Sequence, residues 1–100
     1  MAKIFVKALQ DVAVVIDSLI IACGSTDELT EARVLVRNLL EEIRAGPLDL
    51  PAVVSVLRRV RELLQEARYK LEESGCLDAY RIDDALAALD SVIGPLDGFM

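Results

Sequence analysis

The chain has 100 residues, the size of one domain, and 54% of them are hydrophobic, which is ample material for a core. Its formal charge of −6 argues against binding of nucleic acid through electrostatic attraction over the whole surface. A local basic stripe is still compatible with this charge. The sequence contains no histidine, so it lacks the usual general base of enzymes and a common ligand of zinc.

The first predicted helix covers residues 3–23. Three charged residues, Lys7, Asp11 and Asp17, interrupt this apolar segment, which argues against a membrane span and against a signal peptide. We therefore expect a cytoplasmic protein. Apolar residues at steps of four and three define one face of the helix: Phe5, Leu9, Val12, Ile16, Leu19 and Cys23.

Helix one also carries apolar residues away from this face, namely Val6, Val14, Ile20 and Ile21. A helix that is apolar around most of its circumference either has a wide core face or contributes to a second interface. Both interpretations are open at this stage. The second predicts that helix one forms a homodimer or binds a different protein.

The second predicted helix covers residues 26–45 and ends at Gly46-Pro47, which cannot continue a helix. Ser25 and Glu28 have the spacing of a capping box at its start. Apolar residues at steps of three and four again define one face of the helix, and they are Leu29, Ala32, Val36, Leu39 and Ile43.

Glu28 and Glu31 form an ExxE pair, which resembles one half of the magnesium-binding motif of all-α pyrophosphohydrolases. That family needs a second acidic pair a few turns downstream, and the later carboxylates do not have suitable spacing. A metal-dependent hydrolase is therefore the disfavoured alternative. We predict no metal, no cofactor and no catalytic residue.

The third predicted helix covers residues 50–73, and its apolar face consists of Val53, Leu57, Val60, Leu64, Ala67 and Leu71. Arginines on helices two and three follow helical spacing and could lie side by side as a basic stripe for phosphate or for an acidic partner helix. The favoured alternative is a solvated face with ion pairs such as Arg68 with Glu72. The predicted stripe consists of Arg33, Arg37, Arg44, Arg58, Arg61 and Arg68.

The fourth predicted helix covers residues 77–93 and its apolar face consists of Ala79, Ile82, Leu86, Leu89 and Ile93. Gly94-Pro95 is expected to end it and to begin a tail over residues 94–100. Leu96, Phe99 and Met100 then either plug the end of the core or dock into another protein. Their spacing resembles the hydrophobic half of the clamp-binding peptide of replication proteins, in which a glutamine occupies the position of Ile93.

Four apolar faces with a mean step of 3.5 residues predict an all-α, antiparallel, up-down-up-down four-helix bundle with left-handed, heptad-like packing, as a single domain over residues 1–100. The short links between the helices favour this topology. Cys23 and Cys76 then lie at one pole of the bundle. The favoured interpretation is two unlinked cysteines that pack as small apolar residues, and the alternative is a disulfide.

The function predicted from these observations is a non-catalytic protein-protein interaction module, such as an adaptor, an accessory subunit or a small homo-oligomer. The alternative is a nucleic-acid-associated accessory factor, for example a replication or repair subunit, that uses the arginines of helices two and three. The sequence has few amides and 28% charged residues, a composition typical of thermophile proteins.

Overall fold

The computed structural model of the protein describes residues 2–98, with side chains described for residues 5–96 and 98. It contains four α-helices, α1 (Ala2–Cys23), α2 (Asp27–Ala45), α3 (Leu50–Glu73) and α4 (Arg81–Gly98), and a short 3-10 helix, Leu77–Tyr80, before α4. Helices α1 and α3 each pack against both α2 and α4. Within residues 2–98, no helix has the length and apolar character needed to cross a membrane.

Two ion pairs show that α3 and α4 are antiparallel. Arg61 on α3 contacts Asp90 on α4, whereas Arg68, further along α3, contacts Asp83, which comes earlier in α4. The residue numbers thus rise along one helix as they fall along the other. The predicted all-α four-helix bundle is confirmed, with overall dimensions of 41 × 24 × 19 Å.

The core is built from the apolar faces that the spacing predicted. Each predicted residue is either buried or, at a few positions such as Phe5 and Ile43 near the helix ends, half-buried and packed on the core. Burial of one such leucine or isoleucine side chain stabilises the folded chain by roughly 1.5–3 kcal/mol. The buried members are Leu9, Val12, Ile16 and Leu19; Leu29, Ala32, Val36 and Leu39; Val53, Leu57, Val60, Leu64, Ala67 and Leu71; and Ala79, Ile82, Leu89 and Ile93.

The start of α2 differs in detail from the predicted capping box. The N-cap residue is Thr26, whose hydroxyl oxygen accepts a hydrogen bond from the Leu29 N–H at 3.2 Å. Ser25 therefore does not cap the helix. Glu28 is buried and its carboxylate pairs with Lys70 of α3, so a partner on another helix determines where this side chain lies.

The end of α4 also corrects the prediction. The segment Leu77–Tyr80 forms a 3-10 helix, and α4 then runs through Gly94 and Pro95 as far as Gly98. Proline lacks an N–H and crowds the carbonyl four residues before it, which normally ends a helix. Here Leu96 packs against the core from the helical extension, and this burial offsets part of that cost. The predicted tail over residues 94–100 is thus helical as far as the structure describes it.

Candidate functional site

Two of the four off-face apolar residues of α1 are exposed on its outer side. Ile21 is 86% exposed and Val14 is 61% exposed. They are seven residues apart, which is two helical turns, so they lie one above the other on the same side of the helix. Ile20 instead packs on the core, and Val6 is half-buried. The prediction of an apolar outer surface on helix one therefore applies to Val14 and Ile21.

An ion-pair cluster joins α1 to α2 between these residues. The Asp17 carboxylate lies 2.8 Å from Arg33 Nε and 3.9 Å from Arg37 Nη2. Residues three or four apart on a helix are neighbours, and Asp17 has Val14 three residues before it and Ile21 four residues after it. The exposed apolar side chains of α1 thus flank the carboxylate on both sides.

Helix α2 adds Val34, which is 50% exposed and was not predicted as a site residue. It lies next to Arg33 in the chain and three residues before Arg37, so on the surface of α2 it is a neighbour of the two arginines that contact Asp17. A helical projection could have identified it, since Val34 lies about 200° around the helix from the buried Val36. We call the resulting surface the α1–α2 face, and it consists of Val14, Asp17, Ile21, Arg33, Val34 and Arg37.

The predicted basic stripe is not assembled as one band. Arg33 and Arg37 face α1, where they contact Asp17. On α3, the Arg61 side chain lies 2.8 Å from Asp90 of α4, and Arg68 contacts Asp83 of α4 as well as Glu72. The carboxylates of α1 and α4 therefore direct the two sets of arginines to different sides of the bundle. The predicted pair of Arg68 with Glu72 is confirmed.

The remaining two arginines of the predicted stripe lie at separate places. Arg44 is in the last turn of α2, where a positive charge interacts favourably with the helix dipole. Arg58 is exposed on α3. Of the C-terminal residues predicted to bind a partner, Leu96 is half-buried against the core, whereas Phe99 and Met100 lie outside the described residues.

A disulfide joins Cys23 at the end of α1 to Cys76 after α3, with their Cα atoms 5.8 Å apart. The favoured interpretation of two unlinked cysteines is wrong, because the antiparallel topology brings these positions within the range of about 4.4–6.8 Å that a disulfide spans. Gly24 and Gly75, with φ of 88° and 82°, provide left-handed turns beside the two cysteines that other residues rarely adopt.

A shallow cleft of about 450 Å³ lies beside the disulfide, between Ala22 and Leu77. Polar groups in its wall complete the end of α3. The Ser74 hydroxyl donates a hydrogen bond to the Leu71 carbonyl oxygen at 2.9 Å, and the Cys76 N–H donates to the same oxygen at 2.9 Å. These hydrogen bonds satisfy a backbone carbonyl at the end of α3. The cleft is therefore explained by the turn that positions the disulfide, without a role in binding a ligand.

The ExxE pair at the start of α2 is divided between two cationic partners on α3. The Lys70 ammonium contacts Glu28, and Arg59 Nη2 lies 3.3 Å from Glu31. The hydrogen bond from Lys70 is the main reason that the pKa of Glu28 is lowered, and the same bond raises the pKa of Lys70. The two carboxylates therefore act as links between α2 and α3.

The Glu28→Gln variant is expected to lose stability in a pH-dependent way. A carboxylate whose pKa is lower in the folded protein stabilises it above the unfolded-state pKa, and this contribution is lost as the pH falls through the folded-state pKa. Thermal melts from pH 7 down to pH 2 should therefore show a deficit at pH 7 that disappears at the acid end. The control is Glu73→Gln at an exposed position, which should stay within about 0.5 kcal/mol of wild type. A deficit of constant size down to pH 2 would contradict this role of Glu28.

Three further large side chains are exposed, two in the 3-10 helix and one on α3, and none was predicted as a site residue. Leu77 is 92% exposed, and Tyr69 and Tyr80 are also exposed. None of the three belongs to the predicted apolar face of its helix, so their exposure could have been predicted from the spacing of the apolar residues alone.

Comparisons of the chain with models of known protein families, with curated proteins and with solved structures found no match.

Proposed function

We propose that the protein is a non-catalytic interaction module that binds another protein through the α1–α2 face. The observation that carries this proposal is the exposure of Val14, Ile21 and Val34 close to the ion pairs that Asp17 makes with Arg33 and Arg37. Scattered exposed apolar residues are normal, whereas a group that adjoins on one face favours an interaction surface.

The dimensions of the face indicate a complex of modest size. Two helices of about 20 residues offer a surface roughly 30 Å long and 20 Å wide, on the order of 600 Å². A standard interface buries about 800 Å² per partner. Each Å² of apolar area removed from water contributes roughly 25 cal/mol, so the three apolar side chains provide the main driving force.

Site-specific photo-crosslinking tests the location of the interface. Benzoylphenylalanine placed at Ile21 or at Val34 is expected to form a crosslink to a second polypeptide in the source cells, because both side chains point away from the core. The same group at Glu62, an exposed residue on α3, provides the matched control and should give no crosslink. Equal yields at all three positions, or none at Ile21 and Val34, would count against the α1–α2 face.

Light scattering on the purified protein separates the two forms of this proposal. A small homo-oligomer gives a mass that rises with concentration, whereas an adaptor or accessory subunit stays at the mass of one chain until its partner is added.

The nucleic-acid alternative remains a prediction from the sequence. The arginines lie in two separate sets that pair with carboxylates, and this arrangement gives the alternative no support.

The location of the protein is part of the proposal. Disulfides persist in oxidising compartments and also inside hyperthermophilic cells. The Cys23–Cys76 disulfide is therefore consistent with a cytoplasmic protein only if the source is a thermophile, which is the source that the amide-poor composition favours.

A further inference from the structure

We infer that the Cys23–Cys76 disulfide is a redox-sensitive latch. A dithiol reductant reaches the bond in the folded protein, and its reduction releases residues 74–80 while the four helices stay packed. The inference is independent of the proposed function, because it concerns one pole of the bundle and needs no partner at the α1–α2 face.

The disulfide is accessible from solvent. The side chains of Cys23 and Cys76 are half-buried, and both line the cleft of about 450 Å³. Ala22 and Gly24, which flank Cys23 in the chain, are exposed, and so is Leu77 beside Cys76. A reductant reacts there on collision and needs no binding site. The sulfur atoms can therefore be attacked without prior unfolding, and accessible disulfides are the labile ones.

Reduction proceeds as a thiol–disulfide exchange in two steps. A thiolate of the dithiol attacks one sulfur atom, the bond between Cys23 Sγ and Cys76 Sγ breaks, and the other cysteine leaves as a thiolate. The second thiol of the reductant then attacks the mixed disulfide and releases the first cysteine. Two electrons pass from the dithiol to the protein, and its two protons pass through water to the two cysteine thiolates. The reductant leaves as a disulfide.

The segment after α3 is held weakly apart from the disulfide. In the 3-10 helix Ala79 is buried, but its methyl group is a small apolar anchor, and Leu77 and Tyr80 are exposed. The Ala79 N–H donates to the Cys76 carbonyl oxygen at 3.3 Å, which is longer than a usual hydrogen bond. Segments with little buried apolar surface and exposed hydrogen bonds are those that open locally.

Buried residues on each side determine which part of the chain is released. Leu19, buried one turn before Cys23, anchors the end of α1 in the core. On the other side of the bond, release stops at Leu71 near the end of α3 and at Ile82 at the start of α4, which are both buried. The released segment is therefore residues 74–80, and Cys23 stays in place to re-form the bond.

The rate of reduction tests access to the bond in the folded protein. The wild-type protein is mixed with dithiothreitol at several urea concentrations below the unfolding midpoint, and free thiols are trapped with a maleimide and measured by mass spectrometry. Attack on the folded protein gives a rate nearly independent of urea. Reduction that requires unfolding instead accelerates steeply with urea, because the rate then follows the population of unfolded chains. The second result would overturn the inference.

Backbone order parameters from NMR test the release of the segment. After reduction, the values for residues 74–80 should fall from about 0.85, typical of rigid backbone, to below about 0.6. Leu57 and Leu89, which are buried in the core, should stay near about 0.85 and serve as internal controls. The variant with serine at both cysteine positions should give the same low values without a reductant, and the reductant should not change them.

Oxidised glutathione added after removal of the reductant should re-form the bond and restore the order of residues 74–80. Three outcomes of the NMR experiment would overturn the inference. Rigid values for residues 74–80 in the reduced wild-type protein would mean that the disulfide restrains nothing locally. Low values at Leu57 and Leu89 as well would mean that reduction unfolds the bundle. Order that glutathione does not restore would exclude a reversible latch.

Discussion

Replacement of Cys23 and Cys76 by serine is expected to lower the free energy of unfolding by about 4 kcal/mol. The disulfide links residues separated by 53 positions, and closing a loop of that length lowers the conformational entropy of the unfolded chain by an amount that corresponds to this free energy. For a domain of 100 residues this loss corresponds to a fall in Tm of roughly 20 °C. Calorimetry of the wild-type protein and of the double variant measures the difference.

Chemical reduction supplies the control for this experiment. A thiol reductant should lower the Tm of the wild-type protein to that of the double variant, and it should leave the variant itself unchanged. If the reductant and the two substitutions all left Tm unaltered, the link between α1 and the segment after α3 would have no part in the stability of the bundle.

Leu64→Ala is expected to destabilise the protein by about 3 kcal/mol. Leu64 lies in the middle of α3 with no solvent exposure, so the shorter side chain loses buried apolar area and leaves a cavity among residues of the other helices. Urea denaturation should show a lower midpoint with an unchanged slope, because the extent of unfolding is the same.

Leu77→Ala is the matched control, since it makes the same chemical change at the exposed leucine of the 3-10 helix. The free energy of unfolding should stay within about 0.5 kcal/mol of wild type. Similar losses for the two variants would mean that burial is not what distinguishes these two leucines, and would contradict the heptad-based core.

The fold could be predicted because the four apolar faces follow a local rule. A residue such as Leu57 or Leu89 is buried wherever its neighbours three and four positions away are also apolar, and this spacing is visible without any knowledge of the other helices. The short links then leave little choice of topology.

Features that depend on contacts between helices could not be predicted in the same way. Glu28 had the spacing of a capping partner, but its carboxylate is directed to Lys70, 42 residues further along the chain. Arg33 and Arg61 looked similar in the sequence, but Asp17 and Asp90 direct them to different sides of the bundle. The choice of partner for a charged side chain depends on which helices are neighbours and on how they are rotated.

The candidate site could be predicted from the sequence only in part. Val14 and Ile21 were predicted from their position off the apolar face of α1, because exposure on a helix is also a matter of local spacing. Their association with Val34 was not, because it depends on the seam between α1 and α2 and on the ion pair of Asp17 with Arg33. A sequence can thus indicate an exposed apolar residue, whereas a surface made by two helices requires the structure.

The disulfide also affects what happens to a chain that is cut by a protease. The exposed turn around Gly46 and Pro47 separates the hairpin of α1 and α2 from the hairpin of α3 and α4, and exposed turns are the usual sites of nicking. Cys23 belongs to the first hairpin and Cys76 to the second. A molecule cut at this turn therefore remains one covalent unit, with its two halves held at the opposite pole and the shared core still able to keep them together.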